Sequence, residues 1–263
     1  MSDAGIKPLV GNLGNPGDYL RAASECEVLI HAGFEGGPAG PPLDRLAVET
    51  LGKAAQVGQG RKIFIYTSGV WVLGPWFGKE ADENSRPNPL PLVSWRPENE
   101  WMAADVGKGA VATVIVRPGC VYGGKGGLYG EMIRSALERK LISVIGDGLN
   151  CWANVHRDDL ADLYCLIAEK RPPSGIYHAT DESAEPVKKI AEAFLEAAGG
   201  GKLEHETPES ARARLGPFAE TLALNQRVSS GKARRELGWK PRYDCAAKHA
   251  LILIKQWKTG EAP

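Results

Sequence analysis

Short apolar runs recur along the chain between stretches whose apolar positions fall three and four apart, and that alternation predicts a parallel β-sheet with crossover helices. The clearest strands are EVLIHA (27–32), KIFIYTS (62–68) and VATVIVRPG (111–119), each β-branched or aromatic and ending in small residues. KPLV (7–10), ISVIG (142–146) and GIYHAT (175–180) are further candidates, and a helix over 43–56 bridges the first two clear strands. Beyond residue 180 the pattern changes to short helices: 186–198, halted by Gly199 to Gly201, then PESARARLG (208–216), and a last one over 246–258. Ile190, Phe194 and Leu195 form one apolar stripe and Ala250, Leu253 and Trp257 another, both spaced for core packing. In VSSGKARRELGWKP, Ser229 or Ser230 precedes a short helix that Gly238 and Pro241 end. The expected organisation is an α/β part over 1–180 and a small, mostly helical part over 181–263.

At 263 residues and 43% hydrophobic content, the chain is long enough to bury a proper core. Lys plus Arg (32) balances Asp plus Glu (32), so no net field draws in nucleic acid or an anionic membrane, and small molecules or protein surfaces are the expected partners, a homodimer among them. Cys26, Cys120, Cys151, Cys165 and Cys245 form no Cys-x-x-Cys pair; they read as buried, reduced thiols, with no metal site. The opening MSDAGIKPLVG lacks the basic patch and apolar run of a leader, and no segment has the roughly 18 apolar residues of a membrane span, so a cytoplasmic protein is expected.

Gly11, Gly14 and Gly17 in GNLGNPG match the spacing of a dinucleotide-binding turn. The preceding KPLV contains Pro8, and the following helix must fit between Asp18 and Glu25, so a turn before a short helix suits these glycines as well.

A longer series of motifs is more specific. GNLGNPGDYLRAASECEVLIHAG, IYTSGVWVLG, VRPGCVYG, GDGLNCWANVHRDDLADLY and LGWKP, in that order, resemble the extended or atypical short-chain dehydrogenase/reductase family, the NAD-dependent epimerase/dehydratase group. The resemblance implies a Rossmann-like, doubly wound parallel sheet over 1–180 that binds NAD or NADP, and a helical, substrate-binding region over 181–263. Cofactor contacts then fall at Asn12, Leu13, His31, Ala32, Gly33, Thr67, Pro118 and Gly119. It also implies an N-terminal truncation: only MSDAGIKP precedes GNLG, where the family carries a strand, a glycine-rich phosphate turn, a helix and a second strand, roughly 40 residues by the size of such a unit. An intact cofactor site is therefore not inherited, and either a mobile N-terminus or a sheet edge covered by another chain is expected.

Aligned on Gly74, the family's catalytic Ser or Thr falls on Gly69, its Tyr on Trp95 and its Lys on Asn99. Trp has no titratable proton near neutral pH and Asn no charge to tune one. Pro97 favours the first turn of a helix and leaves Trp95 ahead of it. The candidate replacements are Ser68, Glu98, Glu100 and Tyr122. The two glutamates are expected on a solvated helix start and would serve as acid or base if buried; Tyr122 would be a wall of the site. Arg117 and Arg227 are candidates for a polar substrate, whereas His31 and His156 read as structural and Asp158 or Asp159 as a helix cap. Three readings follow: an NAD(P)-dependent oxidoreductase or epimerase acting on a small hydroxy or carbonyl compound or a sugar nucleotide, a non-catalytic Rossmann-like binding protein, and a shortened product of a longer enzyme gene.

Overall fold

The computed structural model describes residues 5–57, 60–107 and 111–259. In chain order the elements are α1 (Leu20–Ser24), β1 (Val28–His31), α2 (Gly40–Ala55), β2 (Lys62–Thr67), α3 (Arg96–Val106), β3 (Val111–Pro118), β4 (Cys120–Tyr122), α4 (Gly127–Arg139) and β5 (Leu141–Ile145). They continue as β6 (Asn154–His156), α5 (Arg157–Lys170), β7 (Gly175–Ala179), α6 (Val187–Ala197), β8 (Lys202–Glu206), α7 (Pro208–Leu215), α8 (Phe218–Leu222), α9 (Gly231–Leu237) and α10 (Ala250–Thr259). The main sheet runs β1-β2-β3-β7, and its β1–β2 and β2–β3 pairs are parallel, with His31 beside Tyr66 and Thr67 beside Val116. Every residue of β3 and nearly all of β2 is buried, the mark of parallel strands covered on both faces. The chain is an α/β, Rossmann-like protein, a parallel sheet with flanking helices.

Two compact units divide the chain: Met1–Ser68 with Trp95–Val116 and Ile167–Ile176, and Gly69–Ser94 with Arg117–Leu166 and Tyr177–Pro263. The first unit packs Leu29, Val48, Phe64, Ala103 and Ile115 into one core. Pro41 and Pro42 open α2 a turn earlier than the apolar spacing predicts, since the first helical positions need no N–H. The second unit holds the pairs β4–β6 and β5–β8 and a core of Ile133, Ile190, Phe194 and Leu253, so both helical stripes are buried as expected.

KPLV is not a strand. Pro8 donates no hydrogen bond, and Leu9 and Val10 are exposed, so the segment has neither ladder nor core to hold it extended. Among the described residues β1 pairs on one side only, and Ile30 is half exposed. The cysteines are all free, but Cys26 and Cys165 are exposed rather than buried: each lies on a helix end or helix face turned to solvent. Among the described residues no helix is long and apolar enough to cross a membrane.

Candidate active site

In the first unit a buried carboxylate gathers three elements. Asp44 projects from the covered face of α2, where its Oδ1 lies 2.9 Å from His31 Nε2 of β1 and its Oδ2 accepts from Tyr66 Oη (2.7 Å, β2) and Asn99 Nδ2 (2.8 Å, α3). Burial alone would raise the Asp44 pKa, but the hydrogen bonds from His31, Tyr66 and Asn99 together outweigh it and hold the carboxyl below its ordinary range. The Tyr66 phenol is driven far above its usual value by burial and then by the Asp44 charge, so it stays a donor.

One residue further along β2 comes the end of the strand, where Thr67 and Ser68 lie. The Arg96 guanidinium donates to the Thr67 carbonyl (3.2 Å), and the Ser68 N–H donates to Val116 O (2.8 Å), extending the ladder to Ser68. Ser68 Oγ donates to the carboxylate of Glu100. Ser68 and Glu100 are both buried, at 8% and 1% exposure. Expectation placed Glu98 and Glu100 together on a solvated helix start; the structure separates them. Two residues apart on a helix is about 200° of rotation, so Glu98 faces solvent beside Arg45 (2.7 Å) while Asn99, Glu100 and Ala103 face the sheet.

Trp95 stands ahead of α3, as Pro97 implies, and stacks on Phe34 with centroids 5.5 Å apart and planes 7° from parallel. Arg96 covers both rings, at 4.4 Å from Trp95 and 5.1 Å from Phe34. Asn99 spends its amide on Asp44. Neither residue offers a proton where the resemblance puts Tyr and Lys, and Gly69 offers no hydroxyl.

Asn12 and Leu13 lie in a self-contained turn: the Asn12 N–H donates to Asp18 (2.9 Å), the Gly14 N–H to Asn12 Oδ1 (2.7 Å), and Leu13 O accepts from Tyr19 (3.1 Å). A Cβ on Gly11 would fall 2.8 Å from the Asp18 side chain, so Gly11 permits close packing there, and the Asn12 and Gly14 amides are already hydrogen-bonded within the turn. Ala32 and Gly33 follow β1, and a Cβ on Gly33 would meet open space. His31, the last residue of β1, is buried with its Nε2 on Asp44.

The second unit holds the other candidates. Arg117 and Pro118 end β3, with Arg117 buried; Gly119 follows with its N–H on Ala179 O (2.9 Å), so close to Ala153 O that a Cβ would sit at 2.5 Å. Tyr122 is fully buried and donates to Asp181 (3.1 Å). Burial raises Asp181 to about 6, with the Asp244 charge adding to it against the Ser183 and Tyr122 hydrogen bonds. Arg227 is exposed over the Trp76 ring at 4.8 Å. His156 stacks on Tyr243 at 3.6 Å, and the Asp159 carboxylate accepts the Arg242 and Tyr243 amides (both 2.9 Å), joining α5 to the segment before α10. A cleft of about 780 Å³ opens between α4, β5, β8, α7 and α8.

Sequence reasoning missed Asp44 and Asp181. For Asp44 a signal existed: Asp44, Ala47, Val48 and Leu51 sit at i, i+3, i+4 and i+7, which puts a carboxylate on the apolar face of its helix. For Asp181 the sequence carries no comparable mark.

Sheet order, register and flanking helices give the chain a Rossmann-like α/β fold that it shares with solved structures. Human epimerase family protein SDR39U1, solved with NADPH, superposes with a TM-score of 0.77 at 18% identity over 90% of this chain and 86% of that one. Thermus thermophilus UDP-glucose 4-epimerase, solved with NAD, gives 0.79 at 18% identity over 97% and 85%. An uncharacterized protein of Schizosaccharomyces pombe is 27% identical over 247 residues, 90% of this chain and 81% of the relative. No protein-family model matches the chain.

Proposed function

We propose that the chain is an NAD(P)-dependent oxidoreductase or epimerase-like enzyme acting on a small hydroxy or carbonyl compound, with Ser68 and Glu100 in place of the Tyr and Lys of the resembling family. The observation that carries this reading is the buried hydrogen bond from Ser68 Oγ to Glu100 at the C-terminal end of a central parallel strand, where α/β sheets bind their ligands. The nicotinamide ring, when bound, supplies or accepts the hydride. Thr67, Ala32 and Gly33 line the strand ends that would hold it: Gly33 faces open space, and Arg96 with the Phe34 and Trp95 rings offers a cation and a flat aromatic face. The turn at Asn12 and Leu13 adds no phosphate grip.

In this reading Ser68 Oγ takes the hydroxyl proton of the substrate as its own proton passes to Glu100 along the existing hydrogen bond, and in carbonyl reduction the proton returns from Glu100 through Ser68 to the carbonyl oxygen. Arg96 fixes the strand end by its bond to Thr67 O. The test is cofactor oxidation against a panel of aldehydes and ketones with wild type, Ser68→Ala and Glu100→Gln. Each variant is expected to lose about 10²–10⁴-fold in turnover with cofactor affinity kept; unchanged turnover in both would remove the pair from the mechanism.

A second reading, a non-catalytic binding protein, is favoured by the engagement of Trp95 with Phe34 and of Asn99 with Asp44, which leaves the family's proton-transfer positions chemically silent. Cofactor binding without turnover on any panel member would select it.

A further inference from the structure

A smaller hollow of the second unit lies between the loop 75–88 and the segment 225–229. Backbone hydrogen bonds pin the two together: the Trp76 N–H donates to Asn225 O (2.8 Å), the Ala81 N–H to Arg227 O (2.9 Å) and the Ser229 N–H to Ala81 O (2.8 Å). Gln226 Nε2 ties the start of the loop to the same segment, donating to Val70 O (3.0 Å) and Gly74 O (2.7 Å). The loop closes on itself at Gly74, where φ is 69° and a Cβ would fall 2.0 Å from Asn88 O, so only glycine allows the closure. The walls of the hollow are therefore held by backbone rather than by its charged side chains.

The cavity so formed is about 210 Å³, and its charged lining is Lys79, Arg86 and Arg227 against one carboxylate, Glu80. Among the described residues none of the three cations is within ion-pair distance of a carboxylate, whereas Arg214 in the larger cleft is held by Glu206. The other acids of the loop do not line the cavity and have partners of their own. Asp82 accepts the Asn84 N–H (3.0 Å) and the Ser85 hydroxyl (3.2 Å), and Glu83 accepts the His178 N–H (3.1 Å). Burial raises the Asp82 carboxyl, but those hydrogen bonds, with the Lys79 charge behind them, hold it below its ordinary range.

Arg227 is oriented as well as uncompensated. Its guanidinium lies 4.8 Å over the Trp76 ring, a contact that uses the face of the planar group and leaves its N–H donors at the edge. The guanidinium also acts on Cys151, whose thiol burial raises, so the thiol is uncharged at neutral pH and is no counter-ion. Phe77, 79% exposed, adds an apolar ring to the same lining.

Three cations brought to one small cavity from two fixed segments match a group with two charges and several acceptor oxygens. We infer that this cavity binds a phosphate group, either free phosphate or the phosphate of a small molecule whose apolar part rests on Phe77. The inference does not depend on the proposed function, since Ser68 and Glu100 belong to the first unit and these residues to the second.

The test is calorimetric titration of the whole chain with inorganic phosphate and with phenyl phosphate at pH 7.5, the ionic strength held constant with sodium chloride. One saturable site at millimolar concentration or below is expected, weakened about tenfold or more in Arg86→Gln and in Arg227→Gln. Arg45→Gln, which removes the same charge from an exposed ion-paired position of the first unit, is expected to bind as wild type does. Both cavity arginines are exposed and sit on separate segments, so a folding defect in one variant leaves the other to decide. Tighter binding of phenyl phosphate than of inorganic phosphate, lost in Phe77→Ser, would assign the site to an organic phosphate, and equal binding of the two would assign it to the free ion; both uphold the site. No saturable binding of either probe, affinity unchanged in the folded cavity variants, or equal weakening by Arg45→Gln would each overturn it.

Discussion

Asp44 and Asp181 are carboxylates of nearly equal burial, 2% and 7% exposed, and their surroundings drive them in opposite directions. Asp44 has three side-chain partners from three elements, His31, Tyr66 and Asn99, and is held ionised. Asp181 has the Tyr122 hydroxyl and the Ser183 amide, faces the like charge of Asp244, and rises to about 6. Burial penalises both alike, so the supply of donors decides. The ionised one fastens β1, β2 and α3 to α2, beside Ser68 and Glu100; the raised one lies in the second unit.

The sharpest way to break this comparison is to remove the Asp44 carboxylate. Asp44→Ala leaves His31, Tyr66 and Asn99 buried without their acceptor, and a loss of about 3–5 kcal/mol in urea-unfolding stability is expected. A loss below about 1 kcal/mol would show that the network relaxes onto water.

Next in size is the pH dependence, where the two groups have opposite signs. Asp44, lowered when folded, contributes stability above its unfolded pKa near 4 that is lost as pH falls through the folded value. Asp181, raised to about 6, contributes stability below about 4 that is lost as pH rises through about 6. Asp181→Asn is therefore expected to gain on the order of 1–3 kcal/mol over wild type at pH 7 and nothing at pH 4. Equal effects at both pH values would remove Asp181 from the titration. The smallest effect is expected at Arg45, half exposed beside Glu98 and Glu49: Arg45→Ala should leave urea-unfolding stability nearly unchanged, and any difference should shrink further in high salt.

Much of this architecture could be read from the residues. β1, β2, β3 and β7 announce themselves as β-branched or aromatic runs, and α6 and α10 by apolar stripes that become core. β8 could not be read: KLEHE is polar, and only its pairing with β5 makes it a strand. KPLV misled in the other direction, since the two apolar residues after Pro8 are exposed and have no partner strand among the described residues. At the site, Ser68 and Glu100 were each legible as candidates, but their hydrogen bond was not. It depends on the rotation of α3 about its axis, which Asn99 sets through Asp44, a contact between residues 55 apart in the chain. Local pattern carries no information on such a pairing.

The most direct measurement is a titration of NADH and NADPH into the purified chain, following quenching of the seven tryptophans and sensitised nicotinamide emission together. The expected result is saturable transfer at micromolar cofactor, retained in Glu100→Gln. No saturable transfer up to millimolar concentrations of either cofactor would contradict an NAD(P)-dependent function for this chain.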